Sequence, residues 1–256
     1  MGFFDFLSKE NRAQGALDRQ IKKVLNKHAQ SPDRFVALER LRENGSPEAL
    51  NGLARRFSYV YDKTIEDEQE KEWVAEALIS AGEDAIDPVA RYMREAETIS
   101  YPLRVLEKIA TPERLLPIID DLLGREEPGY TRDPTRKLQM LSWLAEWKAA
   151  GDEATAKRIV PYLEDFDEGV RFAAVDAVAR HRHEPTARAA LLAAMLRPEE
   201  ESRRIKVRIA EALSDAGWTI TDRKDEVAKL LAVEPEKNGL PEFGMQHDKL
   251  VRKKEK

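Results

Sequence analysis

Six short windows of this chain share one apolar pattern, and that pattern leaves little choice of fold. With Phe172-Ala173-Ala174-Val175-Asp176-Ala177-Val178 as template, similar windows occupy residues 35–41, 72–78, 103–109, 138–144 and 207–213. Their last residues, Leu41, Leu78, Ile109, Leu144, Val178 and Leu213, stand 37, 31, 35, 34 and 35 apart. The third, fourth and seventh positions are apolar in every window, and the fifth is polar in all six and acidic in five. Residues three or four apart share a helix face, so each window predicts one amphipathic helix with a buried stripe. A second apolar-patterned segment follows each, at 47–57, 83–93, 112–123, 153–163, 185–196 and 222–231. The unit is a helix–turn–helix, and such a unit buries its apolar face only by stacking on its neighbours.

The junctions carry helix punctuation. Gly45, Gly82, Gly151 and Gly217 stand where a glycine would end the first helix. Ser46-Pro47 and Thr111-Pro112 read as an N-cap followed by proline at the first helical position. Pro88, Pro117 and Pro161 fall inside second segments, which predicts kinks, late helix starts or shorter helices there. The composition agrees with an all-α chain: 36% charged, 7% aromatic, with 12 Gly and 13 Pro in 256 residues.

Residues 1–30 read as an N-terminal cap, with Leu17, Ile21, Val24 and Leu25 on one side of a helix. Residues 124–134 read as a loop inserted into a repeat array spanning 31–232. Residues 233–256, with Pro235, Gly239, Pro241 and Gly244, read as a polar tail that is extended or disordered, a short hairpin near 243–251 being the alternative.

The segment 162–178 resembles a HEAT-like repeat, nearest to the bacterial type first associated with phycobilisome bilin lyases. Leu163, Asp165, Asp167, Val170, Arg171, Ala173, Ala174, Ala177 and Val178 carry the match. Residues 205–213 are similar, with Lys206 replacing the usual Arg, and the first four units diverge more. The resemblance implies an all-α, right-handed α-α superhelix of the HEAT/armadillo kind with about six helix pairs. Asp167 then caps a helix N-terminus, and Arg171 bonds the neighbouring turn. This scaffold hosts many roles, so it fixes no function by itself.

The function the sequence supports is a non-enzymatic scaffold that binds a protein of unknown identity along its second helices. Arg55, Arg56, Arg91, Tyr92, Arg94 and Arg158 are the candidate contacts there. Trp143 and Trp147, four apart on one helix face, are a further candidate hot spot, unless the inserted loop with Tyr130 folds over them. Small-molecule enzymes of the bilin-lyase kind are the alternative class. HEAT-like DNA glycosylases use Trp and Asp in a basic groove, but a net charge of -5 and a pI near 5.6 argue against nucleic acid.

No catalytic constellation, metal-binding spacing, cofactor motif or small-molecule site is legible. Deoxyhypusine hydroxylases of the HEAT type hold iron with several His-Glu pairs, whereas this chain has one, His183-Glu184. His181 and His183 are expected in a surface turn. The basic cluster Arg203, Arg204, Lys206 and Arg208, preceded by Glu199, Glu200 and Glu201, is expected to be a solvated face.

The chain has no Cys, which excludes disulfides and thiolate chemistry and fits a cytoplasmic protein. The start lacks a secretory pattern, and Phe6 stands where a myristoylation signal wants Ser or Thr. Membrane association is expected only through the stretch from Met1 to Leu7, with Phe3, Phe4 and Phe6, or through the basic tail ending at Lys256.

Overall fold

A computed structural model describes the backbone of residues 3–61, 63–149 and 151–253, and side chains from Arg12 onward. The fold is all-α, built of stacked helix pairs, and the chain divides between Arg125 and Glu126 into two compact units.

In the first unit α1 (Phe3–Val24) lies against α2 (Ser31–Asn44) and α3 (Pro47–Ala54). Two further pairs follow, α4 (Thr64–Ala81) with α5 (Ile86–Met93) and α6 (Ser100–Ile109) with α7 (Pro112–Arg125). First helices pack on first helices, α2 on α4 and α4 on α6, and α3 packs on α5. The second unit repeats the plan with α8 (Thr135–Glu146) and α9 (Asp152–Ile159), α10 (Glu168–Arg180) and α11 (Glu184–Leu196), and α12 (Arg203–Ala216) and α13 (Lys224–Leu231). There α10 packs on both α8 and α12, and α11 on α9 and α13. Among the described residues no helix is long and apolar enough to cross a membrane.

Every window lies inside a first helix. Its third and fourth residues are buried in all six cases, from Ala37 and Leu38 to Ile209 and Ala210. The seventh is buried in five, and Ile109 is half-buried. The apolar stripe is therefore the core of each layer, and the polar fifth position lies half-buried or exposed beside it.

Helix ends follow local chemistry. Ser46 accepts from the Ala49 N–H and Pro47 opens α3, while Gly45, at φ 63°, closes α2 in the left-handed conformation that glycine adopts without steric cost. Gly151 differs from expectation: it precedes α9, and α8 ends at Trp147 instead.

The three second-segment prolines find three solutions. A 3-10 turn delays α5, placing Pro88 in its first turn. The helix α9 stops before Pro161, which lies in a 3-10 turn. Pro117 stays within α7. Gly52 allows α1 to approach α3, because a Cβ there would lie 2.8 Å from Ile21 Cγ1.

Of the two readings of the tail, the extended or disordered one is corrected and the short hairpin is the one that forms. Residues 243–252 form an antiparallel hairpin, β1 (Phe243–Gln246) and β2 (Lys249–Arg252), turning through His247 and Asp248, both at positive φ. Leu240, Phe243 and Leu250 are buried, with β1 against α13 and β2 against α12. Two four-residue strands are too short to show a period, and their stability comes from this tertiary burial.

Candidate functional site

A charged cluster lies buried in the first unit. Arg34 on α2 is 2% exposed and Arg56, in the 3-10 turn after α3, is 0% exposed. Both donate to Glu70 on α4: Arg34 through Nε at 3.2 Å and Nη2 at 3.0 Å, Arg56 through Nε at 2.8 Å. Arg56 Nη2 also donates to Asp67 at 2.5 Å, and Lys71 Nζ donates to the other Asp67 oxygen at 2.6 Å. Ser31 Oγ adds a hydrogen bond to Glu70 at 2.8 Å. Arg34 Nη1 donates to the Ala29 carbonyl.

Aromatic rings close the cluster. Arg34 lies 4.3 Å from the Tyr61 ring centroid and Arg56 4.4 Å from that of Tyr59. The Tyr59 hydroxyl donates to the Val24 carbonyl at 2.5 Å, which ties α1 to the same cluster.

Burial works against the charge of Asp67 and Glu70, but the cations overcome it. Lys71 and Arg56 hold Asp67 below the usual carboxylate range, and Arg34, Arg56 and Ser31 do the same for Glu70. Burial pushes the Tyr59 and Tyr61 hydroxyls up and Glu70 adds to it, while Arg56 and Arg34 pull Tyr59, and Arg34 pulls Tyr61, the other way.

An open groove of about 840 Å³ lies beside this cluster. Pro32, Phe35, Val36 and Tyr61 supply apolar and aromatic lining, with Lys27 and Lys63 among the charged groups. Phe35 packs on Trp73 with ring centroids 4.9 Å apart, and Arg42 lies 5.1 Å from the Trp73 centroid. Val36, Val60 and Ile65, three of the large apolar side chains that stay exposed, all lie on α2 or in the stretch from the end of the first pair to the start of α4.

The second unit spreads its buried charges instead. Lys137 on α8 meets Asp165 at 2.7 Å, both buried, and also donates to the Gly129 carbonyl at 2.8 Å. Asp165 accepts from the backbone N–H groups of Gly129 and Asp167. Arg171 on α10 forks onto Glu200 at 2.8 and 3.1 Å and onto the carbonyls of Asp165 and Phe166. A third, half-exposed pair continues the series: Arg203 on α12 reaches Glu242, just before β1, at 2.5 Å. Asp167 caps α10 by accepting from the Val170 N–H, as the resemblance implies.

The sequence-derived contacts separate. Arg55, Arg91 and Arg94 are exposed. Arg91 lies 3.9 Å from Glu48, and Arg94 pairs with Asp121 at 2.9 Å, so both knit successive second helices together. Arg158 is half-buried and donates to the Ala154 carbonyl within its own helix. Arg56, Tyr92 and Trp147 are corrected: all three are buried and offer no surface to a partner. Arg56 completes the ion cluster, Tyr92 packs near Phe57, and Trp147 stacks on the half-buried Trp143 with centroids 4.8 Å apart. Tyr130 does not pack on that pair; its ring meets Phe166.

Two further expectations are corrected. His181 is 0% exposed, with Nε2 at 2.6 Å from the Leu144 carbonyl and Nδ1 at 3.0 Å from Asp152. It joins the ends of α8 and α10 to the start of α9, whereas the half-buried His183 lies 3.1 Å from Thr186 Oγ1. Glu200 and Arg203 belong to the inter-repeat ladder rather than to a solvated face, and Arg204 stacks 3.9 Å from the Phe172 centroid. Sequence pattern missed Arg34 and Glu70, whose only signal is a charge on the inner side of an amphipathic helix. The side chains from Met1 to Leu7, and residues 254–256, lie outside the described residues. Among the described residues, no group of three or more His, Asp or Glu is placed to hold a metal ion.

No protein-family model and no curated protein matches the chain. Among solved structures, human deoxyhypusine hydroxylase in complex with glycerol aligns over 90% of this chain and 94% of that one, with 17% identity and a TM-score of 0.32. At that distance the likeness carries no argument about chemistry.

Proposed function

We propose that this chain is a non-enzymatic protein-binding scaffold whose contact surface in the first unit is the groove beside α2. One observation carries the reading: an open groove lined by Phe35, Val36 and Tyr61 is seated on charges already satisfied within the fold. The ion cluster fixes the groove wall, so binding orders little and loses little entropy. Exposed apolar and aromatic groups beside cations suit a protein segment with apolar side chains and carboxylates. The exposed second-helix arginines Arg55, Arg91 and Arg94 are the competing surface; Arg91 and Arg94 engage carboxylates of their own chain, as Lys63 in the groove engages Glu66 at 3.1 Å. The repeat type, the bacterial origin and the cytoplasmic setting belong to the same proposal, on the 162–178 motif and the lack of Cys.

Affinity capture from the source cell, quantified by mass spectrometry, tests the assignment. Val36→Glu combined with Lys63→Glu is expected to lower capture of the bound protein at least about tenfold. Arg91→Glu with Arg94→Glu should leave it within about twofold. The reverse pattern moves the contact to the second helices and rejects the groove.

A further inference from the structure

The two most exposed aromatic side chains of the described residues meet each other. Tyr130, 77% exposed, and Phe166, 71% exposed, pack edge to face with ring centroids 5.5 Å apart. Scattered exposed apolar residues need no explanation. A pair of rings held together in solvent is a different case, because both belong to turns bolted to one buried carboxylate. Asp165 accepts from the Gly129 N–H at 3.0 Å and from the Asp167 N–H at 2.8 Å, and so grips the residues beside both rings. Lys137 completes the clamp on Asp165 and the Gly129 carbonyl. The turns that carry the rings are therefore held side by side before anything binds, which lowers the entropic cost of binding.

The charge in the two turns is net acidic. Arg136 pairs with Glu126, Lys137 with Asp165 and Arg171 with Glu200. With those pairs set aside, the two segments carry Glu127, Asp133, Glu164, Asp167 and Glu168 against Arg132. Aromatic faces attract cations through the ring quadrupole, and carboxylates nearby add to the attraction.

We infer that Tyr130 and Phe166 form a docking point for cationic side chains, lysine or arginine, of a protein partner. The inference deepens the binding reading by naming a partner chemistry. It stands in the second unit, so it can fail while the groove beside α2 survives.

The test is fluorescence anisotropy with a labelled, capped oligo-arginine hexamer and a neutral oligo-glutamine control. Tyr130→Ala with Phe166→Ala is expected to weaken oligo-arginine binding about tenfold, and Tyr130→Phe to stay within about twofold of wild type. Phe166→Leu keeps apolar bulk but removes the π face, and it too is expected to weaken binding. An unchanged circular-dichroism melt confirms that these exposed substitutions leave the fold intact. Wild-type affinity in the double variant would overturn the inference, since carboxylates alone would then hold the peptide. Binding of oligo-glutamine as tight as oligo-arginine would overturn it as well.

Discussion

The two units use one repeat plan but handle buried charge in opposite ways. In the first, two arginines and a lysine from three successive elements converge on Asp67 and Glu70. In the second, each first helix passes one cation to the acid before the next element: Lys137 to the buried Asp165, Arg171 to the buried Glu200, and Arg203 to Glu242 in a half-exposed pair. The last of these acids precedes the hairpin, which stands where a further first helix would begin. A ladder of single pairs repeats with the fold and holds neighbours in register. A shared cluster cannot repeat; it builds one place that differs from all others, and the groove lies there. The difference teaches that the irregular charge marks the special surface and the regular charge marks the scaffold.

Breaking a buried pair leaves an uncompensated charge in a poorly solvated site, so the largest effect belongs to the cluster. Glu70→Ala strips a partner from both Arg34 and Arg56, and a loss of about 3–5 kcal/mol by urea denaturation is expected. Hydrogen exchange should place the loosening in α2 and α4. Asp165→Ala is expected to cost about 3 kcal/mol, with loosening confined to α8, α10 and the 126–134 loop. Equal spread of either change over both units would mean that the two units do not differ in how they hold buried charge.

The cluster also sets an acid response. The folded pKa values of Asp67 and Glu70 lie below their ordinary values of 3.8 and 4.5. Their contribution is therefore full above about pH 4.5 and is lost as pH falls through the lowered folded values. Urea midpoints measured from pH 6 downward should drop, and Glu70→Gln should flatten the drop. Parallel curves for the two proteins would mean that Glu70 does not titrate with folding.

Core truncation serves as a yardstick that ignores charge. Leu144 is wholly buried on α8, so Leu144→Ala is expected to cost about 2–5 kcal/mol. The exposed ion pair between Arg180 and Glu146 marks the other end of the scale. Glu146→Gln should change stability by less than about 1 kcal/mol and less still in high salt. A larger loss there would make surface pairs, not buried ones, the glue between repeats.

Much of the fold was legible because period and burial coincide. The third and fourth positions of every window are core, and a six-fold recurrence is hard to produce by chance. Asp167 and Arg171 were legible too, since a cap and its partner act within a few residues of each other. The cluster was not. Arg34 and Glu70 are 36 residues apart, and a charge inside a helix turns inward only when its partner arrives from another repeat. Arg56 looked like an exposed second-helix cation for the same reason, and His181 looked like a turn residue until three helix ends closed around it. Tyr130 was legible as aromatic but not as the partner of Phe166, because a buried lysine on α8 brings their two turns together.

The most direct test of the account is a photo-crosslinking map in the living cell. A benzophenone side chain would replace Val36 in the groove, Arg91 on the second-helix face and Ser142 on an exposed face of α8. The account predicts a discrete protein adduct from the Val36 position that disappears with Lys63→Glu, and none from Ser142. Adducts from Arg91 without any from Val36, or equal labelling at all three, would contradict it.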